Sequence, residues 1–300
     1  MSLNKNNNKK IKVIAEVGCN HKGKLEIAKE MIITAANFCK VDIVKFQKRN
    51  PKECLTSEEY NTPHPVPYNS YGSTYGSHRE YLEFNIDQHK ELQKLCEQFE
   101  IDYSCSVWDM TSTKEIVSLN PKMIKIPSAH SDNFKILDYL CENFRGEIHL
   151  SLGMTTKEEI ESIVSFFEKK GRNQDLVLYS CTSGYPLKFE EICLLEIEGL
   201  KKKYENRIKA IGFSGHHLGI AADIAAMTIG ATFIERHFTL DRTWKGTDHA
   251  ASLEPVGMMK LVRDINNVSK AMKYKDKDLL EVEKIQRQKL KWKRFQEKIK

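Results

Sequence analysis

Residues 209–237, KAIGFSGHHLGIAADIAAMTIGATFIERH, hold a short apolar run, a turn carrying glycine and two histidines, an apolar-periodic helical segment and a second short run. Two short runs joined by a helix form a parallel crossover unit, the building block of α/β folds. Working outward from it, the same alternation predicts strands at 12–17, 42–46, 102–106, 123–126, 147–150, 176–180, 209–213 and 232–235. Between them lie helical patterns such as LEIAKEMIITAANFC, DQHKELQKLCEQFE, NFKILDYLCENF and TKEEIESIVSFFEKK. In the last of these Thr156 precedes Glu158 and Glu159, a helix start of the capping-box kind. Eight strand-helix repeats predict a closed (β/α)8 TIM barrel, whereas open doubly wound sheets usually stop at five or six strands.

The 300-residue length accommodates such a barrel, and 40% hydrophobic with 29% charged residues suits a packed globular chain, which argues against disorder. No apolar run reaches the ~20 residues of a membrane span, and the opening MSLNKNNNKK lacks a signal-peptide core, so a cytoplasmic protein without a membrane partner is expected. The eight cysteines show no C-x-x-C pair and read as reduced thiols, with Cys19 and Cys181 singled out by position. Much of the net charge of +6 lies in two lysine-rich tails, and no nucleic-acid-binding signature accompanies it, so no nucleic-acid partner is expected.

Two segments depart from a minimal barrel. Residues 50–78, rich in Pro, Gly, Ser and Tyr, read as a long loop after the second strand, placed to act as a lid over the catalytic mouth. The barrel is expected over 1–272, followed by a basic helical extension at 273–300.

Barrel active sites draw on the C-terminal ends of several strands. Glu16, Lys45, Gln47, Ser106, Asp109, Lys125, Ser128, Ser151, Thr182, Ser183, Tyr185, Ser214, His216 and His237 all fall there, with Asp248 and His249 just beyond. A single lysine at a strand end is usually a surface group. Lys45 and Lys125, however, sit inside the apolar runs IVKF and MIKI, where an ammonium group needs a negative partner. Two lysines and several hydroxyls at one mouth suit a phosphate and a carboxylate. His216 and His237 end consecutive strands, whose spacing of about 5 Å permits one shared divalent metal; a structural or acid-base role is the alternative.

The motifs AEVGCNHKG, VKFQ, YGSTYGSHREYLEF, KIPS, LSLGM, CTSGYP, FSGHHLGI, IERHFTLDR and GTDHAASLEP follow one another in the order and spacing of a known family. Over residues 11–265 the chain resembles the N-acetylneuraminate (sialic acid) synthases. The resemblance implies condensation of phosphoenolpyruvate with N-acetylmannosamine or a related N-acyl amino sugar, giving a nonulosonic acid and phosphate. It further implies that His216 and His237 hold Mn2+ or Mg2+. Lys45, Lys125, Ser106, Ser128, Ser151, Ser183 and Ser214 match positions that grip phosphoenolpyruvate, and Glu16, Gln47, Tyr185 and Asp248 match positions that orient the sugar. Thr182 shares the CTSGYP motif, and a homodimer is a possible assembly.

Three departures qualify the match. The family's Gly-Glu after KIPS is Ala129-His130 here, so His130 stands where an acid-base carboxylate is expected, or serves to read a different sugar. Its Ser-Asp-His is Ser214-Gly215-His216, which removes a carboxylate beside a metal ligand. The sequence ends at Lys300 without the antifreeze-like domain that supplies an arginine in many members, so the basic C-terminal helix is expected to stand in, or the substrate to differ. Condensation with another aldose, or a non-catalytic sugar-binding barrel, are the competing functions.

Overall fold

The structure, a computed structural model, describes residues 10–184 and 187–292. The eight expected strands are all present: β1 (Lys12–Gly18), β2 (Ile43–Lys48), β3 (Asp102–Val107), β4 (Met123–Ile126), β5 (Glu147–Ser151), β6 (Leu176–Ser180), β7 (Ala210–Gly215) and β8 (Phe233–His237). Each pairs in parallel with the next, and β1 pairs with β8, so the barrel closes in sequence order. The principal following helices are Leu25–Thr34, Ile86–Gln98, Met110–Ser118, Phe134–Asn143, Lys157–Lys169, Glu196–Tyr204, Ala221–Ile229 and Pro255–Ala271. The helix at Lys157 starts as its sequence announced, with Thr156 and Glu159 forming a reciprocal capping box.

Two separate apolar regions hold this together. The larger lies between the outer face of the barrel and the helices, and includes Val13, Val44, Ile124, Leu150, Leu178 and Ile234. The smaller fills the lower barrel interior with Ile14, Ile43, Met123, Val177, Tyr179 and Phe233. Both follow from the two-residue period of a strand, which sends alternate side chains to opposite faces. At about 1.5–3 kcal/mol for each fully buried aliphatic or aromatic side chain, the outer region dominates the stability.

The segment expected as one long loop is instead largely built of short elements. It contains helices at Pro51–Cys54, Ser57–Asn61 and Tyr75–Leu82, with a 3-10 turn at Pro67–Asn69. Thr56 and Glu59 form a capping box for the second helix, and Thr74 with Ser77 does so for the third. Its aromatics pack on one another, Tyr71 stacking on Tyr81 at 5.1 Å and 7°. The Tyr71 hydroxyl then donates to the Lys245 carbonyl at 2.5 Å, tying the segment to the loop after β8. Local capping and ring stacking override the loop-like composition. Of the basic extension, Glu281–Leu290 is helical, while residues 293–300 lie outside the described residues. Among the described residues no helix is long and apolar enough to cross a membrane.

Candidate active site

A cavity of about 300 Å³ opens at the C-terminal end of the barrel, lined by residues of all eight strands or the loops that follow them. Eleven of the expected side chains line it: Glu16, Lys45, Gln47, Ser106, Lys125, Ser128, Ser151, Ser183, Ser214, His216 and His237. Inward alternation explains the set. On β8 Phe233, Glu235 and His237 point inward, and the last two reach the mouth.

The anionic partner that the two lysines require is supplied first by the protein. Lys45 Nζ forms an ion pair with Glu16, lies 3.8 Å from Glu235 and donates to Ser106 Oγ at 2.7 Å. Lys125 Nζ lies 3.1 Å from Glu235 Oε2, and Ser214 donates to the other Glu235 oxygen at 3.0 Å. All four charged groups are buried. Burial raises the Glu235 carboxyl, but Lys125 and Lys45 outweigh it and hold the group down at about 2. At Glu16 burial prevails over Lys45, and the pKa rises. Burial lowers Lys125, with Glu235 only partly offsetting it, whereas at Lys45 the two carboxylates overcome burial and raise the pKa.

Glu235 was absent from the sequence-based site. Its signal lay in IERH, where the residue two before an inward histidine must also face inward. Trp108 was missed too; it lines the cavity and carries the Arg49 guanidinium at 3.6 Å from its ring. Arg49 donates to Gln47 Oε1 at 2.5 Å, and Gln47 Nε2 donates to Glu16 Oε1 at 2.9 Å, a chain that orients the amide. Gly18, at φ 53°, leaves room for it, since a Cβ there would lie 3.0 Å from Gln47 Nε2.

The imidazoles of His216 and His237 face the same cavity with ring centroids 5.5 Å apart. Burial, reinforced by His237, lowers His216 to about 3, so it presents a neutral ring at physiological pH. Behind them Arg236 is buried and donates to Asp223 at 2.5 Å and to the carbonyls of His217 and Gly219, which fixes the loop carrying His216. Two imidazole nitrogen donors fit a divalent ion that keeps open positions for water and substrate. Among the described residues no set of three or more His, Cys, Asp or Glu side chains is arranged as a metal cage.

Other expected residues stand apart from the cavity wall. His130 is half-buried with its ring edge-on to Trp108 at 5.6 Å, while its neighbour Ala129 lines the cavity. Thr182 contributes its carbonyl, 3.3 Å from His216 Nδ1. Asp248 lies in the loop after β8; burial raises its carboxyl, but His237 and Arg79 outweigh it and the pKa falls. Asp109 is structural, capping the helix Met110–Ser118 through the Ser112 amide at 2.7 Å. His249 is likewise held inside its loop by Thr239 at 2.7 Å. Tyr185 lies outside the described residues. Cys181 lines the cavity, and burial raises its thiol pKa, keeping it protonated.

Known proteins resemble this chain in sequence and in fold. The chain is 36% identical over 271 residues to N-acetylneuraminate-9-phosphate synthase of Homo sapiens, covering 90% of this chain and 74% of that one. It is 34% identical over 265 residues to N,N'-diacetyllegionaminic acid synthase of Campylobacter jejuni, covering 88% and 78%. The crystal structure of N-acetylneuraminic acid synthetase from Leptospira borgpetersenii in complex with citrate superimposes with a TM-score of 0.79 at 29% identity, covering 95% and 93%. The family model described as NeuB matches residues 31–277, most of the barrel just described, and the chain belongs to the NeuB family.

Proposed function

We propose that this chain condenses phosphoenolpyruvate with N-acetylmannosamine or a related N-acyl amino sugar, releasing phosphate and a nonulosonic acid. The observation that carries the reading is the linked set Glu16, Lys45, Glu235 and Lys125, which shares one cavity with the His216–His237 pair. The names of two relatives, an N-acetylneuraminate-9-phosphate synthase and an N,N'-diacetyllegionaminic acid synthase, support the reaction class.

In this reaction C3 of phosphoenolpyruvate forms a bond to the aldehyde carbon of the open-chain sugar. Water adds at C2, and the C2–O bond to phosphate breaks. Lys45 and Lys125 present fixed positive charge to the phosphate and carboxylate, and the hydroxyls of Ser106, Ser128, Ser151, Ser183 and Ser214 surround the same space. Glu16 and Gln47, locked by their mutual hydrogen bond, meet the sugar's hydroxyls. A Mn2+ or Mg2+ ion held by His216 and His237 would supply Lewis-acid polarisation of the aldehyde.

Mass spectrometry of products from phosphoenolpyruvate, Mn2+ and a panel of N-acyl sugars tests the proposal. A product heavier than the sugar by the pyruvate unit, with one phosphate released per turnover, is expected. Product only from aldoses that carry no N-acyl group would refute it.

A further inference from the structure

The interior of an eight-stranded barrel is normally filled by layers of branched apolar side chains. Here the layer beneath the site is interrupted by His149 on β5 and Tyr179 on β6, both fully enclosed. The Tyr179 hydroxyl lies 2.7 Å from His149 Nδ1, and His149 Nε2 lies 3.0 Å from Glu147 Oε2. Glu147, at the opposite end of the barrel, is partly exposed and paired with Lys209 at 3.2 Å. Above, the Tyr179 ring carries the Lys125 ammonium at 3.4 Å from its centroid. A polar column thus runs from the far face of the barrel to the floor of the cavity.

Its hydrogen-bond roles are determined by elimination. A carboxylate only accepts, so His149 donates from Nε2 and accepts at Nδ1, and the tyrosine hydroxyl is the donor. Burial keeps the imidazole neutral, lowering it to about 4, and raises the phenol well above its usual range. The ring is also held sterically, because it occupies space that a Cβ on Gly212 would enter at 2.6 Å.

We infer that Tyr179 is a positioning residue for Lys125, holding the ammonium toward the cavity where the anion of phosphoenolpyruvate would sit. The inference rests on the reading of Lys125 as an anion-holding group. A lysine has four rotatable side-chain bonds, and Glu235 alone would leave Lys125 free to follow one carboxylate. A further carboxylate would restrain it at the cost of neutralising its charge. The face of an aromatic ring restrains it without adding a second negative charge beside the one Glu235 already supplies.

Calorimetric titration with phosphoenolpyruvate, alongside thermal melting, tests this without requiring the sugar to be known. Tyr179→Phe keeps the ring and loses the hydroxyl, so it should melt at a lower temperature yet bind within twofold of the parent. Tyr179→Leu removes the ring face and should weaken binding about thirtyfold, the size of a desolvated cation–π contact. Tyr179→Met provides the same test should the leucine variant not fold. Lys125→Ala separates the two levels of argument. Unchanged binding by Lys125→Ala would remove the underlying reading of the site and the inference with it. Weakened binding by Lys125→Ala with parental affinity in folded Tyr179→Leu or Tyr179→Met would overturn the inference alone. So would a Tyr179→Phe variant as impaired in binding as Tyr179→Leu, since the ring face would then carry no special role.

Discussion

Lys125 and Glu235 meet across the barrel, their charged atoms 3.1 Å apart although the residues are 110 positions apart and their strands, β4 and β8, are not neighbours. Burial strips both groups of water, so each depends on the other. Replacing Glu235 by Leu leaves Lys125 with an uncompensated charge and is expected to cost about 3–5 kcal/mol of stability. Urea unfolding measures this; a change below about 1 kcal/mol would show that Lys125 has another counter-charge.

His237→Ala removes one of the two imidazoles without disturbing the outer core. Turnover should be lost while cooperative unfolding persists. Parental turnover after exhaustive chelation would exclude a metal at this pair, and restoration by added Mn2+ would support it.

Gly153 sits where a Cβ would press between Ser183 Oγ and Ser128 Oγ, the latter at 2.8 Å. Both hydroxyls can swing aside, so Gly153→Ala should cost little stability but spread two groups that line the cavity where the proposed substrate anion would sit. A rise of about tenfold in KM for phosphoenolpyruvate, matching the loss of about one hydrogen bond to a charged group, is the expected kinetic signature. An unaltered KM would place the anion elsewhere.

Burial depresses three enclosed histidines, His21 to about 3, His89 to about 3 and His149 to about 4. The unfolded chain titrates near 6.5, so below that pH it binds more protons than the fold. Stability is complete above pH 6.5 and falls as pH drops toward the folded values. Each histidine contributes up to about 1.4 kcal/mol per pH unit in that window. Glu16, with a raised pKa, works in the opposite sense: its contribution is complete below the unfolded glutamate value and declines as pH rises through the folded one. Glu83, raised by burial as well, acts like Glu16, but the two carboxyls are outnumbered by the depressed histidines, which also include His78, His216 and His249. Lower urea midpoints at pH 5.5 than at pH 7.5 are expected, and equal midpoints would mean that the imidazoles already carry charge in the fold.

Barrel and mouth were legible because both obey local rules. Two-residue alternation marked the strands, helical periodicity marked several of the crossovers, and lysines inside apolar runs revealed buried charge. The same alternation contained Glu235, which was overlooked because IERH draws attention to its histidine. Residues 50–78 misled in the other direction: their Pro and Gly content suggested loop, although Thr56 with Glu59 and Thr74 with Ser77 encode short capped helices.

By itself the sequence determined which residues face inward, since side-chain direction depends only on position within a strand. Which inward residues touch was decided by closure of the barrel, because strand tilt and stagger fix who lies across from whom. That is why Lys125 could be identified from MIKI alone, while its carboxylate partner on β8 and the aromatic ring beneath it emerged only in three dimensions.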